Sequence, residues 1–177
     1  MSITGQTIII GRDIAATLIP SGHMIDLKAG TPVRVTQALG GNHSVEVFGN
    51  LVMISQENHD ALGVELDDKL FQHLEDESLT LEEKVIAQIK TCYDPEIPVN
   101  VYDLGLIYGI TAMDASVRIA MTLTSPTCGM GPFIVEDIKR RVHLIPKVQE
   151  VNIELVFDPP WDRSRMSQIA KLQLNLL

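Results

Sequence analysis

Cysteine is scarce in this sequence: only Cys92 and Cys128 occur, and they form no CxxC pair. That absence excludes a thioredoxin-like redox motif and a self-contained four-cysteine metal site. A single disulfide stays an alternative, but a chain with no secretory signal more often keeps both thiols reduced. The histidines have no HxH or HxxxH spacing, which argues against a dedicated zinc site. They are His23, His43, His59, His73 and His143.

Basic side chains and long apolar runs are also few. The formal charge is -9, from 23 acidic and 14 basic side chains, whereas a nucleic-acid-binding surface needs a basic face. No apolar run approaches the roughly eighteen residues of a membrane span. The first ten residues, "MSITGQTIII", lack the basic start and cleavage site of a signal peptide. We therefore expect a cytoplasmic protein that binds neither nucleic acid nor membrane.

The chain divides into two parts with different hydrophobic patterns. Residues 7–55 contain short apolar runs separated by Gly, Pro and Asn every eight to ten residues, which predicts a small all-β unit. The segments "IPSGH" and "GGNH" are typical of turns. From about 60 to 78 the sequence becomes acidic and loses its alternation, as in a connector. We predict a β domain at 1–60, an acidic connector at 61–79 and an α/β domain at 80–177.

The second part has the pattern of a compact α/β layer domain. Thr80 and Glu83 form a capping box at the start of a helix. Two strands, a helix with Pro132 in its first turn, another strand and a short helix follow. The predicted fold class is α+β, with a small mixed sheet and helices packed on it.

The segment "LTSPTCGMGP", residues 123–132, precedes the predicted helix 133–143. Cys128 would lie just before the helix N-terminus, where unpaired N–H groups and the dipole favour a thiolate. Gly129 and Gly131 would leave the sulfur accessible. The alternative is a buried cysteine acting as a small apolar residue. A phosphate loop would need a lysine that is absent here. Hydroxyls that could bind a ligand come from Thr122, Thr124 and Ser125.

The segment "YDPEIPVNVYDLG" supplies closely spaced carboxylates at Asp94, Glu96 and Asp103. Such a group can bind a metal or perform acid–base chemistry. The alternative is that these residues cap turns, above all Asp94 before its proline. Cys92 fits helix-end packing, or a second thiolate if the two loops converge.

The segment "FDPPWDRSR" places the single tryptophan, Trp161, after two prolines and before Arg163 and Arg165. This pattern is typical of a recognition or lid segment. The alternative is that Trp161 covers the open end of a small core.

Taken together, these three segments resemble the iron–sulfur cluster assembly (metal–sulfur cluster biosynthesis) domain family over residues 80–177. The segments "LIPSG", "GTPVRVTQALGGNHSVEV" and "DALG" are similar to the N-terminal extension of its SufT-like subgroup. The resemblance implies that the loops of "DPE" and "SPTCGMG" face each other at one end of a small sheet. It also implies a functional cysteine at Cys128, with polar positions around it at Asp94, Glu96, Asp103 and Thr124. Arg163, Arg165 and Gln168 depart from the family pattern.

The resemblance implies an accessory protein of iron–sulfur cluster maturation whose partners are assembly proteins and client apoproteins. A permanently held cluster needs about four ligands, so Cys128 alone cannot store one. The first hypothesis is a transient site for iron or a cluster, completed by carboxylates or by a second protomer. The second hypothesis is a metal-free adaptor that binds through Trp161 and the arginines. The third is a cysteine enzyme with His143 or His23 as base, and we expect no enzyme.

Overall fold

The computed structural model describes residues 2–177 and has the mixed α and β composition that the sequence predicts. Contacts divide the chain between residues 70 and 71 into two compact units. This division falls inside the segment 61–79 that was expected to connect two domains. The exact domain boundaries stay a prediction.

The first unit is built on a six-stranded antiparallel sheet with the strand order β1-β4-β5-β6-β2-β3. In β4 and β5, Leu39 pairs with Asn42, so Gly40 and Gly41 form a two-residue hairpin turn with positive φ at both positions. One face of the sheet carries the buried apolar cluster of this unit. The strands are β1 (Thr7–Ile9), β2 (Ile14–Ile19), β3 (Met24–Leu27), β4 (Pro32–Leu39), β5 (Asn42–Val47) and β6 (Asn50–Ile54).

Short 3-10 turns follow the last strand of this sheet. They cover Gln56–Leu62 and Asp68–Leu70 in the first unit and Gln72–Leu74 in the second. The acidic segment therefore forms single turns, because it has no apolar stripe that would hold a longer helix against a core.

The second unit follows the predicted order of elements. The capping box at Thr80 and Glu83 is present, with Thr80 N 2.7 Å from Glu83 Oε2 and Glu83 N 3.2 Å from Thr80 Oγ1. No helix within residues 2–177 is long and apolar enough to cross a membrane. The elements are α1 (Leu81–Ile89), β7 (Ile107–Met113), β8 (Ser116–Met121), α2 (Gly131–His143), β9 (Glu150–Leu155) and α3 (Gln168–Gln173).

Strands β7, β8 and β9 form a three-stranded sheet in that order, and its apolar core includes side chains of α1 and α2. A buried ion pair fixes α2. Arg141, 1% exposed, donates to Asp137, 2% exposed, and also donates to Thr91 Oγ1 just beyond α1. The Arg141 side chain is therefore buried between the two helices.

We predict that the first unit loses stability in mild acid because of His43 in β5. Burial, followed by the nearby His59, lowers the His43 pKa, and a bond to Gly41 partly opposes this. The folded state therefore keeps His43 neutral while the unfolded chain takes up a proton near pH ~6.5. Stability is full above that pH and falls below it, by up to ~1.4 kcal/mol per pH unit.

Urea unfolding at about pH 7.5 and about pH 5.5 measures this effect. His43→Gln should remove part of the pH dependence, whereas His23→Gln, at an exposed position, should retain it. Equal pH dependence in both variants would contradict the assignment.

Candidate functional site

Strand pairing brings the three motif segments to one end of the three-stranded sheet. Because β7 and β8 are antiparallel, the start of β7 pairs with the end of β8, with Ile107 opposite Met121. Because β8 and β9 are parallel, the end of β9 lies at the same place, with Leu155 beside Met121. The segment before β7 carries the acidic residues, the one after β8 carries Cys128 and the one after β9 carries Trp161.

Cys128 lies where the sequence predicts, just before α2. It is half-buried, carries a free thiol and packs against the core of the second unit. Helix α2 begins at Gly131, whose N–H donates to the Cys128 carbonyl. The next residue, Pro132, has no N–H. Two of the first N–H groups of α2 therefore cannot donate to the Cys128 sulfur. The helix N-terminus provides fewer hydrogen-bond donors to this sulfur than the sequence suggests.

Gly131 packs closely against Leu123. A Cβ at this position would lie 2.6 Å from Leu123 Cδ1, so a larger residue at the start of α2 would have to displace that side chain. Ser125 Oγ lies 3.0 Å from Thr127 Oγ1 and accepts from the Thr127 N–H, which stabilises the turn before Cys128. Thr124 and Gly129 are half-buried in the same loop.

Asp94 shapes the loop that precedes β7. Its Oδ1 accepts from the N–H groups of Glu96 and Ile97 at 2.8 and 2.9 Å, which is an Asx turn. The side chain is 6% exposed, and burial raises its pKa while the two N–H donors partly oppose the shift. Asp94 therefore makes the contacts expected if its role is to form a turn, which is the alternative to metal binding or acid–base chemistry.

Glu96 and Asp103 occupy different surroundings. Glu96 is exposed. Asp103 is half-buried, its Oδ2 accepts from Asn100 Nδ2 at 2.7 Å, and its carbonyl accepts from the Ser167 N–H. Asp103 therefore ties the segment before β7 to the start of α3.

No group of three or more His, Cys, Asp and Glu side chains within residues 2–177 is placed to hold a metal ion. The predicted set of Cys128, Asp94, Glu96 and Asp103 therefore does not form a preassembled shell in one chain. Iron or a cluster bound at Cys128 would need ligands from elsewhere or a rearranged loop. Metal binding by these residues stays a prediction.

Cys92 does not fit the supporting role considered for it. The side chain is 1% exposed, and its Sγ lies 3.7 Å from the Gln88 carbonyl at the end of α1. Burial is the largest cause that raises its pKa, and the nearby Asp137 adds to it. Cys92 is a neutral core thiol, as expected of a helix-end packing residue.

The C-terminal segment lies across the start of β7. Trp161 is half-buried, packs on the core, and its Nε1 donates to the Leu104 carbonyl at 2.8 Å. The guanidinium of exposed Arg165 lies 4.4 Å from the centre of the Tyr108 ring, within cation–π range. Arg163 is exposed. Trp161 thus covers the end of the core, and a partner contact by Trp161, Arg163 and Arg165 stays a prediction.

Tyr108 is a site residue that sequence reasoning missed. It lies at a bulge, because the pairing register with β8 shifts between Ile107 and Gly109. Its hydroxyl donates to the Pro159 carbonyl at 2.7 Å and so holds the C-terminal segment. The bulge depends on pairing with β8, and no local sequence signal would have revealed it.

The fold and the site define a small α/β protein with one accessible cysteine in a loop at a sheet end where three segments meet. A family model described as "Iron-sulfur cluster assembly protein" matches residues 82–155. A "Fe-S protein maturation auxiliary factor" of Porphyromonas gingivalis is 45% identical over 105 residues, which is 59% of this chain and 100% of the relative.

Two further comparisons agree. The "Fe-S protein maturation auxiliary factor SufT" of Staphylococcus aureus is 38% identical, over 47% of this chain and 96% of the relative. The crystal structure of a "Domain of Unknown Function DUF59" from Bacillus anthracis is 37% identical with a TM-score of 0.52, over 55% of this chain and 93% of that chain. The chain belongs to the iron–sulfur cluster assembly protein family and is SufT-like, as the sequence motifs predict.

Gly105 provides a test of how tightly the C-terminal segment is held. It has a φ of +77°, and a Cβ there would lie 2.2 Å from the Arg165 carbonyl oxygen. We expect Gly105→Ala to cost ~3 kcal/mol or more, because backbone must move in addition to the left-handed strain. Thermal unfolding and the loss of the Trp161 fluorescence signal measure the effect.

Gly30→Ala is the matched control. Gly30 also has positive φ, at +88°, but nothing lies within 4 Å of its Cβ position. Gly30→Ala should lower the free energy of unfolding by only ~1–2 kcal/mol. Equal losses of stability in the two variants would mean that the close approach of Arg165 to Gly105 does not add to the cost of a side chain there.

A second test separates the turn from the carboxylate at Asp94. We expect Asp94→Asn to keep wild-type stability at neutral pH. The amide oxygen of asparagine can still accept both N–H bonds, and the neutral side chain buries no charge. Asp94→Ala should lose ~1–3 kcal/mol by leaving two N–H groups without an acceptor. Urea unfolding of both variants measures this. Equal destabilisation would mean that the ionised carboxylate itself is needed.

Proposed function

We propose that this protein is an accessory factor in the maturation of iron–sulfur proteins. In this proposal Cys128 binds iron or an iron–sulfur cluster transiently and helps to transfer it to client apoproteins. Its partners are then iron–sulfur assembly proteins and client apoproteins, and its location is the cytoplasm. The name of its relatives, "Fe-S protein maturation auxiliary factor", supports the accessory role.

The observation that carries the proposal is the contrast between the two cysteines. Cys92 is fully buried in the core, whereas Cys128 is a half-exposed free thiol in the loop where the motif segments meet. Thiolate is the protein ligand that iron–sulfur clusters use most. Cys128 is therefore the one side chain of this pair that can reach a cluster carried by another protein.

The incomplete ligand set favours transfer over storage. One thiol with no group of three candidate ligands within residues 2–177 supplies too few ligands to keep a cluster for long. We propose that the client or the assembly protein contributes the remaining ligands, so that the cargo is shared during transfer and then released.

We propose that the protein is not an enzyme. A cysteine nucleophile needs a nearby base, and His143 is the last residue of α2 while Cys128 precedes its first residue. Thirteen residues of helix place His143 at about 18 Å from that N-terminal end, which is beyond proton-transfer reach.

A metal-free adaptor is the second candidate function. This candidate is favoured by a contact surface for partners. The surface consists of the exposed guanidinium groups of Arg163 and Arg165 beside Trp161, whose Nε1 is hydrogen-bonded to the main chain. The sequence of the region 1–60, which resembles a SufT-type extension, has no evident set of chemical groups, and we assign the first unit to packing, partner contact or dimerisation.

Anaerobic reconstitution with iron and sulfide tests the proposal. We expect wild-type protein to gain a visible chromophore, iron and sulfide, and Cys128→Ala to lose at least half of each. Cys92→Ala is the control, because it removes a thiol that is buried and neutral, and it should load like wild type while losing stability. Iron and sulfide content, the absorption spectrum and thermal unfolding are measured together.

Equal iron and sulfide content in wild type and Cys128→Ala would eliminate the ligand role. No chromophore in any of the three proteins would favour the adaptor. In that case Arg163→Glu should weaken client binding, and Cys128→Ala should not.

A further inference from the structure

The outward side of α3 is apolar, although a surface helix is normally polar there. Ala170 is buried and Leu174 packs on the core, so these two residues mark the inward side of the helix. Ile169 and Leu172 lie one turn apart and are 61% and 66% exposed. Leu176, just beyond α3, is 44% exposed. Single exposed leucines are normal, whereas a group of exposed aliphatic side chains commonly marks an interaction surface.

A groove of about 320 Å³ next to α3 is lined by two basic side chains, Arg163 and Lys171, together with Ser164 and Leu176. Arg163 is exposed and Lys171 is half-buried. Within residues 2–177 neither side chain forms a hydrogen bond or an ion pair. The groove therefore has two positive charges and a hydroxyl that are available to a ligand, beside an aliphatic side chain.

Positive charge is concentrated in this part of the chain. Residues 161–177 have three basic side chains and one acidic side chain, whereas the whole chain has a net charge of -9. The acidic side chain, Asp162, caps the 3-10 turn Arg163–Arg165 by accepting from the Ser164 N–H at 2.7 Å. It offsets one of the three positive charges and leaves a surplus of two. An acidic partner is repelled by most of the protein and is attracted at this groove.

We propose that the outward side of α3 and the adjoining groove together bind an acidic, leucine-rich segment of a partner protein. Carboxylates of the segment pair with Arg163 and Lys171, and its aliphatic side chains cover Ile169 and Leu172. A small anion such as phosphate would fill only the groove and would leave these two aliphatic side chains in water. The proposal does not depend on what Cys128 binds, because none of the residues that carry it belongs to the Cys128 loop.

A membrane surface fits these observations less well than a protein segment does. Basic clusters that bind anionic lipids have about four to eight Lys and Arg residues. This groove has two, in a chain whose net charge of -9 would be repelled by an anionic leaflet. A partner segment contacts only α3 and the groove, so the acidic remainder of the chain does not oppose its binding.

Fluorescence anisotropy of the full chain with a labelled synthetic peptide tests the proposal. The peptide has about 12 residues, with glutamate and leucine at helical spacing. We expect saturable binding with a dissociation constant below about 100 µM, weakened at least about fivefold between about 50 and about 500 mM NaCl. A peptide with lysine in place of every glutamate should not bind, because its charge matches that of the groove.

Lys171→Glu and Leu172→Ser should each weaken binding of the glutamate–leucine peptide at least about fivefold. Lys147→Glu and Leu144→Ser are the matched controls and should bind like wild type. They make the same changes at exposed positions before β9, at the other end of the three-stranded sheet. Circular dichroism and thermal unfolding confirm that each variant is folded.

Three results would overturn the proposal. The first is the absence of saturable binding of the glutamate–leucine peptide to wild type. The second is equal weakening by the two variants and their two controls. The third is binding to vesicles of phosphatidylserine and phosphatidylcholine without binding to the peptide, which would assign the surface to a membrane.

Discussion

The pairing of β8 with both of its neighbours is the constraint on which the site depends. Antiparallel pairing on one side and parallel pairing on the other bring the start of β7 and the ends of β8 and β9 to one edge. Backbone bonds continue this pairing into the loops, from Thr122 N to the Leu106 carbonyl and from Val156 N to the Met121 carbonyl. The parallel pair requires a crossover connection, and α2 supplies it. The Cys128 loop is the first part of that crossover.

Several polar groups at this edge make hydrogen bonds that stabilise the loops. Asp94 accepts two backbone N–H bonds, Asp103 is bonded to Asn100, and Trp161 donates to a main-chain carbonyl. Cys128 is the exception, because its thiol is free and half-exposed. The hydrogen bonds of the surrounding loops fix where this one available sulfur lies.

The sequence predicted the elements whose signals are local. The capping box at Thr80 and Glu83, the start of α2 near Pro132 and the Gly40–Gly41 hairpin all depend on neighbours within four residues. The same reasoning was less successful for side chains whose partners are distant in sequence. No local pattern indicated that Arg141 is buried, because its burial depends on Asp137 together with Thr91, fifty residues away.

By itself the sequence determined the kind of fold, the order of elements and the family, because periodicity, turns and motif residues are properties of short segments. It also predicted Cys128 as the functional cysteine, and that role stays a prediction. Only the tertiary structure decided that Cys92 is buried, that Asp94 forms a turn and that Tyr108 at a bulge holds the C-terminal segment. These facts depend on strand register and on burial, which arise when remote segments pack together and change the solvation of each group.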